Sequence, residues 1–158
     1  MGERSEMKRI MLNTNVFCRP FDDMASQTIK EEAKYADFIF SLAHQNRIEI
    51  ISSDVLYEET DLIENKAKYD SVYYLIKIVE KERITDNEEV IGWADSLNDI
   101  IKDYNDCLHI GFALAGKCSC LVTCDHELIK KREKIERFLL SKGTILAIKT
   151  PSEFASEY

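Results

Sequence analysis

The chain has 158 residues, 45% of them hydrophobic and 32% charged, with only 5 Gly and 2 Pro. That length predicts one domain over 1–158, with its core spanning about 8–154, and the composition excludes collagen-like, low-complexity and disordered chains. The net charge of −8, from 21 basic against 29 acidic residues, argues against a general nucleic-acid coat protein, whose affinity comes from neutralising many phosphates.

Lys8 to Leu12 reads as a short buried strand that ends at the polar triplet Asn13-Thr14-Asn15. Arg19 to Asp23 is predicted as a loop, since proline biases its neighbour away from helix. From Ile29 the apolar residues Ala33, Ala36, Phe40 and Ala43 recur at a helical period. Arg47 to Ile51 is a second strand, after which Ser52 or Ser53 caps a helix carrying Val55, Leu56, Leu62 and Ile63. Helices are predicted over Val72–Val79 and Glu88–Ile101. The segment Asp106–Gly116 is apolar almost all round, which predicts a buried helix closed by Gly116. Cys120–Cys124 is a third strand, Lys130–Leu140 a basic helix, and Thr144–Lys149 a last strand stopped by Pro151.

Short apolar strands separated by helices pair in parallel, because a parallel connection needs a long crossover. The expected fold class is α/β, a three-layer α/β/α sandwich around a parallel sheet of four to five strands. No apolar run approaches the ~20 residues of a membrane span. The charged start Met1–Arg9 has no signal-peptide core behind it. A cytoplasmic protein without membrane contact is expected. The odd count of 5 Cys then favours reduced thiols over a disulfide framework. No Gly-rich phosphate loop of the GxGxxG or Walker type occurs.

In open parallel sheets functional groups gather beyond the carboxyl ends of the strands. Asn13 follows the first strand, Glu58 lies one turn beyond the second, and Asp125 follows the third. Asp106 opens the buried helix. Such acids do not all stay ionised without a counter-charge, and Mg²⁺ or Mn²⁺ is the usual partner for oxygen ligands. The other reading is that Asp106 and Asp125 simply cap helices.

The stretches LNTNVFCRPFDD, ISSDVLYEE, NDCLHIGFALAGKCSCLVTCDHELI and KTPSEF resemble the PIN domain, from about Lys8 to Phe154. The resemblance implies a parallel sheet flanked by helices and a metal-dependent ribonuclease site of three or four acids. Many small microbial members are toxins of toxin–antitoxin pairs of the VapBC kind, which implies an antitoxin partner beside the RNA substrate. Asn13 falls where the family has its first aspartate, Glu58 matches the glutamate (Glu59 being the one-residue alternative), and Asp106 and Asp125 match the third and fourth acids. Asn15 and Thr123 match the polar residues of the opening and of the T-x-D turn, and Ser52 the serine of the second strand. The implied cofactor is Mg²⁺ or Mn²⁺, held by Asp106, Glu58, Asp125 and Asn13. The resemblance departs at Asn13, which offers a carbonyl oxygen but no charge. An inactive relative, a weak enzyme and an engineered substitution all remain open, as does a non-catalytic module that binds RNA or a protein.

Cys118, Cys120, Cys124 and His126 admit a zinc reading, but alternate residues of a strand point to opposite faces, which favours plain buried or edge thiols. His109 reads as a proton carrier or as a partly exposed helix residue. Lys130, Lys131, Arg132 and Lys134 read as an RNA grip or as a solvated face. Tyr69, Tyr73 and Tyr74 suit core or dimer packing, with base stacking as the other use, and pairing into a homodimer or a heterodimer is expected because an apolar surface would otherwise stay exposed.

Overall fold

In the computed structural model, which describes residues 7–158, β1 (Arg9–Leu12) lies at the centre of a five-stranded parallel sheet. The start Met1–Glu6, on which part of the signal-peptide expectation rests, lies outside the described residues. Period-two alternation sorts the core into two layers. Ile10 and Leu12 face one layer and Met11 the other. The first layer holds α1 (Thr14–Cys18), α2 (Gln27–His44), α4 (Lys66–Val79) and α9 (Pro151–Ala155). The second holds α5 (Glu88–Leu97), α6 (Tyr104–Ala115), α7 (His126–Lys130) and α8 (Arg132–Ser141). The protein is therefore a three-layer α/β/α sandwich.

The other strands are β2 (Glu49–Ser53), β3 (Glu80–Ile84), β4 (Cys120–Val122) and β5 (Ala147–Lys149), in the spatial order β3-β2-β1-β4-β5. The chain runs outward from β1 to β3, then returns through α5 and α6 to lay β4 on the other side of β1. The strand order thus reverses between β1 and β4, and the crevice beyond their carboxyl ends is where such sheets place ligands.

Several sequence expectations shift. The strand β3, Glu-Lys-Glu-Arg-Ile, carries no apolar run, because it is an edge strand whose charged side chains face water. It is fastened by Tyr57 on α3 (Asp54–Asp61), whose hydroxyl donates to Glu80 at 2.7 Å. The predicted basic helix divides into α7 and α8 at Lys131. The Arg19–Asp23 loop contains a 3-10 turn over Arg19–Phe21. Pro151 does not merely stop β5; it opens α9, where Thr150 and Glu153 form a reciprocal capping box. α6 begins at Tyr104, before Asp106, because Asp103 accepts from the Asn105 N–H as its cap. The tyrosines of α4 are not core: Tyr73 is 37% and Tyr74 68% exposed.

One glycine is required by close approach. A Cβ on Gly111 would sit 2.7 Å from the Val90 carbonyl oxygen, so α5 and α6 touch backbone to side-chain position there. That contact sets how α6 lies over the sheet, and hence where Asp106 sits.

Candidate active site

The site is assembled from chain ends rather than from one element. At the end of β1 the Asn13 N–H donates to the Val122 carbonyl at 2.9 Å, extending the β1–β4 pairing by one residue. Its side chain is buried, and Asn13 Nδ2 donates to Thr123 Oγ1 at 2.6 Å. Asn13 Oδ1 is buried without a partner. Two residues on, Asn15 Oδ1 accepts from the Cys124 N–H at 3.1 Å. Asn13 and Asn15 therefore staple the carboxyl ends of the two strands that flank the switch point. Thr123 Oγ1 also accepts from the Asp125 N–H at 3.0 Å, and Asp125 Oδ1 accepts from the Glu127 N–H at 2.9 Å to cap α7.

Asp106 stands in the first turn of α6 rather than at its cap. Burial, then the charges of Asp103 and Asp125, a hydrogen bond between the Asp106 and Asp125 carboxyls, and the charge of Glu59 push its pKa up to about 7. Asp106 and Asn13 line a cleft of about 470 Å³ that also reaches Arg19 and Lys68. Asp106 and Asp125 line a second cleft of about 300 Å³.

Glu58 is exposed and does not line the cleft; the next residue, Glu59, does. The reason is helical geometry: one position on α3 turns a side chain by 100°. Glu59 Oε1 accepts from Thr14 Oγ1 at 2.6 Å and lies 2.6 Å from His109 Nε2, while Oε2 accepts from Asn105 Nδ2 at 3.1 Å. Burial would raise the Glu59 pKa, but the hydrogen bond and charge of His109, with help from Thr14 and Asn105, hold it at about 2. His109 is buried, not partly exposed, and its Nδ1 has no partner. Glu59 thus ties α1, α3 and α6 together.

Other expected residues lie elsewhere. Ser52 donates to Glu80 at 3.1 Å and to the Glu82 carbonyl at 3.3 Å, so it supports β3, while Ser53 caps α3. Of the basic run only Lys131 borders the acids. Lys130 pairs with Glu127, Arg132 pairs with Glu153 at 2.7 Å, and Lys134 is exposed on α8 away from both clefts. Cys118, Cys120 and Cys124 are buried thiols, each pushed up to about 12 by burial, and His126 is exposed. Arg19, Lys68, Asp103 and Lys102 also line these clefts, and no motif in the sequence marks them. The one local signal was the Lys-Asp pair at 102–103, which lies just ahead of Asp106.

Among the described residues no three His, Cys, Asp or Glu side chains stand together as a ready metal cage. What the site does offer is two carboxyls on the wall of one cleft and a buried, unpaired amide oxygen. That all-oxygen set suits a hard cation which keeps several waters and takes one or two carboxylates, the habit of Mg²⁺. No helix among the described residues is long and apolar enough to cross a membrane. A family model described as PIN domain matches residues 9–127, more than half of the chain. No curated protein matches it.

Proposed function

Since this chain belongs to the PIN domain family, whose members are typically metal-dependent nucleases, we propose that it is a metal-dependent endoribonuclease weakened by Asn13. The observation that carries this reading is that Asp106 shares one cleft wall with Asp125 and the adjoining one with Asn13, whose buried Oδ1 has no partner. Charge crowded in this way is what a divalent cation relieves. Mg²⁺ or Mn²⁺ would be held by Asp106, Asp125 and Asn13 Oδ1, and would supply Lewis acidity toward the phosphate and a more acidic bound water. Asn15 and Thr123 keep the ends of β1 and β4 in register. Glu59 braces α6, which carries Asp106, through His109 and Asn105. Glu59, not Glu58, is the glutamate this reading assigns to the site.

Asn13 also favours a second reading, a non-catalytic module binding RNA or a protein, because its amide brings no negative charge to a cation. Restoring the acid discriminates. Two unit charges about 4 Å apart interact by roughly 4 kcal/mol at an effective dielectric near 20, and desolvation cancels part of this. Asn13→Asp is therefore expected to tighten Mn²⁺ binding in calorimetry and to speed RNA cleavage about tenfold or more. The gain is expected to vanish in EDTA and in the double variant with Asp106→Asn. If Asn13→Asp neither binds Mn²⁺ more tightly nor cleaves RNA, the binding-module reading replaces the enzyme.

The same reading extends to partners. A toxin role would be supported by growth arrest on expression that a co-expressed small partner relieves. Homodimer formation through α4 is supported by its exposed Tyr73, Tyr74 and Ile78; sedimentation that gives a monomer at high concentration would remove it.

A further inference from the structure

Asp106 lines both clefts, so the larger and the smaller meet at that residue. The smaller is walled by Asp103, Asp106, Asp125 and Glu127, a wall that repels a polyanion, together with two lysines. Lys102 comes from the segment between α5 and α6, and Lys131 from the joint between α7 and α8. Among the described residues neither has an ion-pair partner, whereas Arg19 and Lys68 of the larger cleft are both paired with Asp22, at 2.8 and 2.6 Å. Lys130 and Arg132 are likewise paired. Lys102 and Lys131 are thus the cations at the acid cluster that meet an incoming phosphate without first giving up a carboxylate. In a chain of net charge −8, phosphate is attracted locally or not at all.

We propose that single-stranded RNA crosses both clefts over Asp106, with Lys102 and Lys131 holding the phosphate next to the one cleaved. This rests on the nuclease reading and names its substrate path. A cavity of about 300 Å³ is at the small end of ligand pockets and admits an unstacked nucleotide rather than a duplex. The two lysines approach from different elements, so the phosphate they hold is placed by the fold and not by one flexible segment.

The test measures binding of a short, fluorescently labelled single-stranded RNA by anisotropy in EDTA, across a salt series. Lys102→Ala with Lys131→Ala is expected to weaken binding at least tenfold at low salt. It should also flatten the log–log salt slope by roughly 0.7, the contribution of one single-strand phosphate. Mn²⁺ binding should not weaken, since removing two cations beside the acids can only favour a divalent cation there. Lys81→Ala and Lys117→Ala, exposed near the opposite end of the sheet, are expected to bind like the parent. The proposal is overturned if the double variant keeps the parent's affinity and slope, if Lys81→Ala and Lys117→Ala lose as much, or if the parent binds no RNA. A protein that binds Mn²⁺ and cleaves RNA but ignores both lysine changes loses only this inference. One that neither binds Mn²⁺ nor cleaves RNA loses the nuclease reading itself.

Discussion

Asp106 shows how a single side chain carries both cost and use. Its pKa, raised from 3.8 to about 7 by burial and by Asp103 and Asp125, means that the folded protein holds a proton that the unfolded chain releases. Below pH 3.8 both states are protonated and there is no penalty. Stability falls as pH rises from about 3.8 to about 7, and the penalty is constant above that. Asp106→Asn in metal-free protein is therefore expected to be neutral near pH 3.5 and stabilising at pH 8. Screening of this half-exposed carboxyl reduces the gain to about 1–2 kcal/mol, measurable by urea unfolding in EDTA. Glu59 has the opposite sign. Its pKa, lowered from 4.5 to about 2, gives stability that is present above pH 4.5 and lost as pH falls through about 2. Glu59→Gln should cost about 2 kcal/mol at pH 7 and almost nothing near pH 2.

At the scale of elements, α6 is placed by two contacts near its middle, one to α5 and one to α3. Gly111 lets it approach α5, and a Cβ there would meet the Val90 carbonyl oxygen at 2.7 Å. Gly111→Ala should cost about 1–3 kcal/mol as an overpacked contact, read as a lower urea midpoint with the slope unchanged. Because the strain pushes α6 away from α5, Mn²⁺ affinity should fall with it, although Gly111 touches neither cleft. Two residues before Gly111, His109 joins α6 to Glu59. His109→Gln keeps an N–H donor and should retain more Mn²⁺ affinity than His109→Leu, which leaves Glu59 with one fewer partner.

For the whole molecule, the site exists because the strand order reverses between β1 and β4. The ends of those strands, stapled by Asn13–Thr123 and Asn15–Cys124, set the floor of the cleft. The acids then arrive from α6 and α7 on one layer and from α3 through Glu59. Acid unfolding should accordingly be one transition in which the site and the sheet are lost together. If near-ultraviolet circular dichroism and a probe in the cleft gave separate midpoints on lowering the pH, the site would be an independent unit.

The α/β class and four of the five strands were legible in the sequence, which also pointed to Asn13, Asp106 and Asp125 as candidates at the strand ends. Those strands are short apolar runs between amphipathic helices, and polar residues at their ends stand out against them. It did not reveal β3, because an edge strand of charged residues carries no alternation that marks it. Which glutamate faces the cleft, Glu58 or Glu59, was decided by the 100° turn between neighbours on α3, and that angle has meaning only once the helix is docked. The same holds for the cations: in sequence Lys130 to Lys134 form one basic run, but folding turns Lys131 toward the acids, pairs Lys130 with Glu127 and Arg132 with Glu153, and brings Lys102 in from another element. Local pattern depends on neighbours along the chain, whereas a site depends on neighbours across it, and those are chosen by how the layers pack.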